Sequence, residues 1–406
     1  MRSAPAPWGA VRTGSVLSMR ENVRRVRRPA ADGAPAFDLA YVRSGPRGAT
    51  PVLVIPGGPG LASVLPYRGL RRWAARGGLD LVMVEHRGVG RSRHDLEGRA
   101  LPPAAMRITA VLDDLAAVLD AEGIDRAVIV GSSYGSYLAM AFGARHPERV
   151  SAMLLDSALQ SAHDIDIERA CLRKLFWDAD DDMARGVRRL VSAGVSERVV
   201  LDIVRAAYEL GGPDLVHPLV RHEPGFAWRA LGAYATRGAE IARFPGIYEF
   251  DLVGTIAFRE LGYGGTPDGH PLDPARTYLP LASRYPAFVG EPYDLIEAVR
   301  SFDWPLVVLS GDRDLRTPSA IAERVVAAAP DATLVRIHNG HSALDTHPMA
   351  LLNAVRRLVR GQQDRLPADE PALDRLPRKG LSASFPALLL HVAHLDALLR
   401  KRVLHR

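Results

Sequence analysis

Cysteine is almost absent from this chain, and long apolar runs are absent altogether. With one cysteine, Cys171, in 406 residues, the sequence can form neither an internal disulfide nor a zinc site built from several cysteines. No uncharged run is long enough to predict a membrane-spanning helix, and residues 1–19 lack the apolar stretch of a secretory signal. A single cysteine is typical of a protein in a reducing compartment. Because no secretory signal and no membrane-spanning run are seen either, we expect a cytoplasmic protein with no membrane partner.

Lysine is scarce as well, and the basic side of the charge balance is almost entirely arginine. The three lysines are Lys174, Lys379 and Lys401, and the formal net charge is +6. Basic residues are spread along the chain, with the densest clusters at 24–28 and 400–402, and no aromatic residues alternate with them. An organised nucleic-acid surface would gather its basic residues on one face and place aromatic residues between them. We therefore expect no nucleic-acid partner.

Apolar residues make up 47% of the chain and charged residues 24%, which is enough apolar surface for a sizeable core. Short apolar runs closed by glycine or proline predict buried strands, and two alternating segments, 22–28 and 37–43, predict two more. Helical patterns lie between the runs, with apolar faces at 111–119 and 321–326. The sequence therefore predicts an α/β fold with a mostly parallel, doubly wound sheet. The apolar runs are at 52–55, 79–84, 127–130, 151–155, 306–309 and 333–337.

The alternation of strand and helix breaks between about 158 and 300, where helical segments are joined by loops rich in glycine and proline. We interpret residues 159–300 as an inserted helical cap, which holds 15 of the 26 aromatic residues. These could line a pocket or fill the core of the cap itself. Residues 21–158 and 301–360 would form the core, 1–20 a flexible leader, and 361–406 a linker with a C-terminal helical extension. The extension is expected to dock on the core or to join two copies in a homo-oligomer.

The strongest chemical signal is the motif Gly-Ser-Ser-Tyr-Gly at 131–135, which follows a predicted strand and opens a helix. A sharp turn between strand and helix lifts the central hydroxyl above the sheet edge, and it needs small neighbours. Ser133 is therefore the predicted nucleophile. A serine hydroxyl is a weak nucleophile, so it needs a base that is itself oriented by an acid.

Acid and base candidates follow later strands, in the order serine, acid, histidine. Residues 310–318 contain Asp312 and Asp314, and we prefer Asp314 because it lies far enough from the strand to reach an imidazole; Asp156, after the strand 151–155, is a third candidate. For the base we prefer His341 to His338, which would still point along the strand.

A glycine-rich loop, Pro-Gly-Gly-Pro-Gly at 56–60, follows another predicted strand. Acyl transfer builds negative charge on a carbonyl oxygen, and two backbone N–H groups commonly stabilise it. One comes from the residue after the nucleophile and one from such a loop. The predicted oxyanion hole is therefore formed by Tyr134 and Gly58.

Three motifs together resemble the α/β-hydrolases of the prolyl aminopeptidase and tripeptidyl aminopeptidase branch. Residues 56–60 resemble the H-G-G-P-G loop of that branch, 85–92 (Glu-His-Arg-Gly-Val-Gly-Arg-Ser) resemble D-Q-R-G-x-G-x-S, and 131–135 resemble G-G-S-x-G. The chain departs from these patterns at Pro56, where the branch has histidine, and at Ser132, where it has glycine. The likeness covers 37–160 and 300–360 and implies an α/β-hydrolase fold with an inserted helical cap.

The resemblance also implies a serine aminopeptidase that acts on small peptides and needs no metal or organic cofactor. Members of the branch hold the substrate ammonium with acidic cap residues, and Glu260 resembles such a position. Two alternatives stay open: a carboxylesterase or lactonase acting on a small hydrophobic metabolite, and a non-catalytic ligand-binding protein of the same fold. Either way the expected partner is a small molecule or a short peptide.

Overall fold

An eight-stranded sheet forms the centre of the protein. The computed structural model describes residues 22–31, 33–221, 224–235 and 243–379. Its strands are β1 (Arg24–Arg28), β2 (Phe37–Ser44), β3 (Pro51–Ile55), β4 (Asp80–Val84), β5 (Ala127–Ser132), β6 (Val150–Asp156), β7 (Arg243–Phe244), β8 (Tyr248–Glu249), β9 (Leu306–Gly311) and β10 (Ala332–Ile337). The sheet has the order β1-β2-β4-β3-β5-β6-β9-β10, whereas β7 and β8 pair separately.

Strand β2 is antiparallel to both of its neighbours, and the other strands of the sheet, in the order β4-β3-β5-β6-β9-β10, run parallel to one another. Each predicted strand overlaps an observed one. Strands β4, β5 and β9 are buried along their whole length, as parallel strands covered on both faces must be. The predicted doubly wound α/β sheet is therefore confirmed.

Helices cover both faces of this sheet, and a helical segment is inserted between β6 and β9. The helices are α1 (Arg68–Arg76), α2 (Ile108–Ala121), α3 (Tyr134–Arg145), α4 (Ile165–Phe176), α5 (Asp182–Ser192), α6 (Glu197–Gly211), α7 (Pro213–Val220), α8 (Phe226–Ala235), α9 (Phe250–Leu261), α10 (Ala275–Tyr278), α11 (Leu295–Ala298), α12 (Ser319–Ala328), α13 (Ala343–Thr346), α14 (Pro348–Val359) and α15 (Leu366–Asp374). Within the described ranges, no helix combines the length and apolar content needed to cross a bilayer.

Three apolar clusters hold these layers together. One packs α2 and α3 against the sheet, and a second packs α1, α14 and α15 against its other face. The third joins α4 to α8 and has its own aromatic side chains, among them Phe176 and Trp228. Part of the aromatic content between β6 and β9 therefore fills a core of its own.

Helix α5 begins at an acidic run, where the Asp181 carboxylate accepts the N–H of Ala184 at 2.8 Å.

The segment after α14 differs from its predicted form as a linker. Residues 366–374 form α15, although two prolines lie within them. Pro367 is in the first turn, where a missing N–H is tolerated, and the side chains of Leu366 and Leu373 are buried against the sheet layer. The predicted leader, and the predicted extension beyond residue 379, lie outside the described residues.

Candidate active site

The turn that carries the predicted nucleophile Ser133, called the nucleophile turn below, joins β5 to α3. Ser133 has φ 55° and ψ −123°, a strained conformation for a residue other than glycine. The turn is so tight that a Cβ on Gly131 would lie 2.1 Å from the carbonyl oxygen of Gly135. A Cβ on Gly135 would lie 2.0 Å from the carbonyl oxygen of Ile55. Both glycines of the motif are thus required by close backbone contact.

A continuous chain of hydrogen bonds links the three residues predicted as a triad. Ser133 Oγ lies 2.8 Å from His341 Nε2, and His341 Nδ1 lies 3.0 Å from each carboxylate oxygen of Asp314. Because an ionised carboxylate only accepts, Nδ1 carries the donating proton and Nε2 is left to accept from the serine hydroxyl. This is the tautomer that a general base needs.

The acid and the base shift each other's proton affinity in the direction that this pairing favours. Burial opposes ionisation of Asp314, but its interaction with His341 and the N–H of Thr317 outweigh burial and lower the pKa of Asp314 to about 2. Burial also disfavours the imidazolium, yet the charges of Asp314 and Glu209 raise the pKa of His341 above its ordinary value. The imidazole is therefore free to accept a proton only above that raised pKa.

The competing candidates for acid and base have other partners. Asp156 accepts from the hydroxyl of Ser132 at 2.7 Å and from the N–H groups of Ala343 and Leu344 at 3.0 and 2.9 Å. Its carboxylate thus joins the residue before the nucleophile to the helix that follows the base. Asp312 and His338 pair with each other at 2.8 Å on the surface.

The predicted oxyanion loop packs directly on the nucleophile turn. A Cβ on Gly57 would lie 3.0 Å from Cβ of Ser133, and Gly58 has φ +122°. Among the described residues, neither the N–H of Gly58 nor that of Tyr134 donates to an acceptor. For Tyr134 the reason is its place in the first turn of α3, which has no acceptor within the helix. Two N–H groups thus remain available next to Ser133.

Glu85 shows the structural role of the motif at 85–92. Its Oε2 accepts from the N–H groups of Ser63 and Val64 at 2.6 and 2.9 Å, just beyond the oxyanion loop. Arg87 forms a buried, bidentate ion pair with Asp114 at 2.7 Å, which is a structural role. Glu85 therefore fixes the residues that follow the loop of Gly57 and Gly58.

The side chain of Tyr134 is anchored by His86, which stands where the related motif has glutamine. The Tyr134 hydroxyl lies 3.2 Å from His86 Nε2, and His86 Nδ1 faces the carbonyl oxygen of Arg87. Burial lowers the pKa of His86 to about 4, so the ring is neutral and can accept from the tyrosine hydroxyl. A cavity of about 20 Å³, room for one water molecule, lies between these rings, Gly57 and Gly60.

Glu260, the predicted amine anchor, lies buried on α9 with partners of its own. Its Oε2 accepts from the N–H of Ile108 at 2.8 Å, at the start of α2, and its Oε1 pairs with Arg259 at 2.6 Å. Both carboxylate oxygens are therefore engaged within the protein. The role of Glu260 in substrate binding stays a prediction.

A group of charged residues that sequence analysis missed lies beside the base. The backbone of Glu209, near the end of α6, packs on Gly340, and its Oε2 pairs with Arg316 at 3.2 Å. Its Oε1 is buried and has no hydrogen-bond partner among the described residues. Glu168 on α4 accepts from Arg205 at 2.7 Å, and burial raises the pKa of Glu168 to about 7. The sequence signal was a run of charges at helical spacing on α6.

Aromatic side chains form a cluster beside this charged group, in which Tyr278 is close enough to interact electrostatically with Arg316 and Glu168. Phe250 and Phe258 are fully buried, with the rings of Tyr248, Tyr278 and Tyr285 packed around them. Strand β8, which carries Tyr248, is bridged to Leu61 next to the oxyanion loop. The backbone segment that carries Tyr248 and Phe250 therefore packs on Gly60 and Leu61. No cluster of three or more metal-ligating side chains occurs in the described part of the chain.

Comparisons with known proteins agree with this architecture. Residues 50–198 match the family described as the alpha/beta hydrolase fold. A proline iminopeptidase of Heyndrickxia coagulans is 30% identical over 219 residues, which span 52% of this chain and 67% of that protein. Proline iminopeptidase of Neisseria meningitidis serogroup B is 25% identical over 340 residues, covering 81% and 93%.

Among solved structures, the crystal structure of proline iminopeptidase from Mycobacterium smegmatis is similar to this fold. The superposition has a TM-score of 0.54 at 17% sequence identity, and it covers 84% of this chain and 99% of that chain. At this identity the likeness concerns the fold alone, and it agrees with the predicted fold class. Taken with the sequence relatives, it shows that the chain belongs to the α/β-hydrolase family, in its prolyl aminopeptidase-like branch.

Proposed function

We propose that this hydrolase is a serine aminopeptidase that releases an amino-terminal residue, with proline or another small apolar residue preferred, from short peptides. Ser133 attacks the carbonyl carbon while His341 takes the hydroxyl proton, and Asp314 orients the imidazole. The N–H groups of Gly58 and Tyr134 stabilise the oxyanion. His341 then gives its proton to the leaving amine as the carbon–nitrogen bond breaks. Water hydrolyses the resulting acyl-enzyme and restores the serine.

The hydrogen-bond chain from Ser133 through His341 to Asp314 is the observation that carries this proposal. Its distances of 2.8 and 3.0 Å lie within the range that proton transfer requires. Within the described ranges, the N–H of Tyr134 in this turn and the N–H of Gly58 in the neighbouring loop donate to no acceptor. A serine that merely capped a helix would need none of these features.

A free amino terminus needs an anion at a fixed distance from the nucleophile, and the acidic group beside the base can supply it. Glu209 offers a buried Oε1 with no hydrogen-bond partner in the part of the chain that the structure describes. Glu168 lies close enough to interact electrostatically with Glu209 and Arg316. An ammonium ion placed there would gain a charge-assisted hydrogen bond in a buried setting. Glu260 would first have to release Ile108 or Arg259.

Hydrolysis of an ester or a lactone of a small hydrophobic metabolite is the second candidate. The aromatic cluster around Phe250 and Phe258 favours it, because the segment that carries Tyr248 and Phe250 packs on Gly60 and Leu61 and an apolar acyl group needs no charged partner. The same triad serves both reactions. The two candidates differ in whether turnover depends on a free amine.

A paired assay separates them. Prolyl and alanyl arylamides with a free amine, their N-acetylated counterparts, and short-chain aryl esters are given to the wild type and to Ser133→Ala. The proposal predicts arylamide turnover that needs both Ser133 and the free amine. Ester turnover alone would support the second candidate, and ligand binding without any turnover would support a non-catalytic protein.

Two matched variants then test the anchor. At about pH 7.5, where most of the substrate amine still carries its proton, Glu209→Gln should lower kcat/KM for the arylamides more than tenfold and change ester turnover much less, because only the amine loses its partner. Glu260→Gln is the comparison. A selective loss in Glu260→Gln instead would return the anchor to the position that the resemblance implies.

A further inference from the structure

The segment after the last core helix lies along the open edge of the sheet. Strand β10 pairs with β9 on one side, and α15 covers its other side. Glu370 accepts the N–H of Arg336 at 2.7 Å, and Asp374 accepts the N–H of His338 at 2.7 Å. Carboxylates four residues apart on a helix lie ~6 Å apart along its axis, close to the spacing of alternate N–H groups in a strand. The helix is therefore held in register with the strand edge.

Beyond α15, one arginine reaches the loop that carries the base. We name residues 338–346 the histidine loop and residues 363–379 the C-terminal brace. Arg378 Nη2 donates to the carbonyl oxygen of His338 at 2.7 Å, and its Nη1 donates to Asn339 Oδ1 at 2.8 Å and to the carbonyl oxygen of Thr346 at 3.0 Å. A single guanidinium thus ties the start of the histidine loop to its end, with His341 between them.

Asn339 carries this contact into the loop. Its side chain is buried, and Nδ2 donates to the carbonyl oxygen of Gly340 at 3.0 Å and to Thr346 Oγ1 at 2.8 Å. The next residue after the base, Ser342, has φ +61°. A strained conformation of this kind persists only where the surroundings hold it. The hydrogen bonds of Arg378 and Asn339 are part of what holds this loop.

The geometry points to the C-terminal brace as a positioning element of the active site, with Arg378 as a positioning residue that acts on His341 through Asn339 and Thr346. This inference rests on the proposed serine hydrolase function. Transfer of the serine proton needs the 2.8 Å contact between His341 and Ser133. A displacement of about 1 Å in such a contact lowers the rate about a hundredfold.

The test compares Arg378→Ala, Arg378→Lys and the matched control Arg375→Ala in the full chain. Arg375 lies in the same segment with an exposed side chain. The readouts are the rate at which a fluorophosphonate labels Ser133, kcat and KM on the preferred substrate, and the melting temperature. Arg378→Ala should lower kcat and the labelling rate about 10- to 100-fold and leave KM within about twofold. Arg375→Ala should match the wild type.

Rescue separates positioning from general stability. Methylguanidinium at low millimolar concentration should restore part of the labelling rate of Arg378→Ala and leave Arg375→Ala unchanged. Arg378→Lys should fall between the wild type and Arg378→Ala, because an ammonium is a point charge and not a fork of donors. If Arg378→Ala does not fold, Arg378→Lys decides, and wild-type kcat in that variant overturns the inference.

Other outcomes also overturn it. These are an unchanged labelling rate in Arg378→Ala, an equal loss in Arg375→Ala, or a loss that follows the melting temperature and does not respond to methylguanidinium. A wild-type protein whose Ser133 is not labelled contradicts the proposed function itself. Failure of the brace and failure of the proposed function therefore give different results.

Discussion

Two isosteric substitutions, Asp314→Asn and Asp156→Asn, test which buried carboxylate serves the base. Both acids follow strands of the sheet and both lie near the nucleophile turn, so the sequence left them as rivals. In the structure, Asp314 contacts His341 with both oxygens, whereas Asp156 contacts Ser132 and the start of α13. We expect the first change to remove turnover and the second to affect mainly stability.

The size of the Asp314→Asn effect follows from its hydrogen bonds. Oδ1 accepts the N–H groups of Arg316 and Thr317, so the amide oxygen of asparagine will stay there and its NH₂ group will face His341. A donor at that place favours the imidazole tautomer with its proton on Nε2, which cannot accept from Ser133. In triads of this kind the wrong tautomer lowers kcat about 10⁴-fold, which corresponds to about 5.5 kcal/mol.

Asp156→Asn should behave differently. Three donors face the carboxylate and an amide offers a single acceptor oxygen, so at least one hydrogen bond is lost, at about 1–3 kcal/mol of stability. Burial raises the pKa of Asp156 to about 6, above its unfolded value of 3.8. The stability that the protonated Asp156 provides is therefore present below pH 4 and is lost as the pH rises through about 6. The asparagine variant should be least stable relative to the wild type at pH 4.

Aryl ester turnover from pH 5 to 9, together with thermal unfolding at pH 4 and 7, measures both effects. Asp314→Asn should keep its melting temperature within a few degrees while kcat collapses, and Asp156→Asn should keep kcat within about tenfold. A 10⁴-fold loss confined to Asp156→Asn would refute the assignment of the acid.

Two further substitutions test the surroundings of the nucleophile and the base. Glu209→Gln removes a negative charge that raises the pKa of His341, so the acidic limb of the kcat/KM profile should move to lower pH, whereas the exposed Glu323→Gln should leave it in place. An unmoved limb in Glu209→Gln would contradict this reasoning. Gly57→Ala brings a Cβ to 3.0 Å from Cβ of Ser133 and 3.1 Å from the carbonyl oxygen of Ser132, so kcat should fall at least about tenfold. Gly48→Ala, where a Cβ meets open space, is its control, and equal rates would exclude the predicted clash.

The strands could be predicted from the sequence because each buried parallel strand is a short, uninterrupted apolar run. The run at 127–130 lies within β5 and the run at 306–309 lies within β9, and both strands are buried throughout. Their order in the sheet is a different matter. Strand β3 lies between β4 and β5, and no property of its own residues specifies those neighbours. Order depends on the whole set of crossover connections.

The triad candidates could be predicted because each lies in a turn that follows a strand, and the strand and turn are both visible in the sequence pattern. The residues around them could not be predicted in this way. Glu209 lies on α6 with Arg198, Asp202 and Arg205 at intervals of three and four residues, a spacing that a solvated helix face shares. What brings Glu209 into the site is the burial of this part of α6, which the spacing of the charges does not reveal. Arg378 lies in a proline-containing stretch and binds residues that are 32 to 40 positions earlier in the sequence. No periodic pattern predicts a contact between such distant positions.

The position of Glu209 beside His341 links substrate charge to the pH profile. An ammonium ion bound at Glu209 would neutralise the charge that raises the pKa of His341, so the base would titrate lower in the complex than in the free enzyme. The profile of kcat/KM reports the free enzyme, and that of kcat reports the complex. For free-amine arylamides the acidic limb of kcat should therefore lie below that of kcat/KM, and for neutral esters the two limbs should coincide. Coincident limbs for both substrates would place the amine away from Glu209.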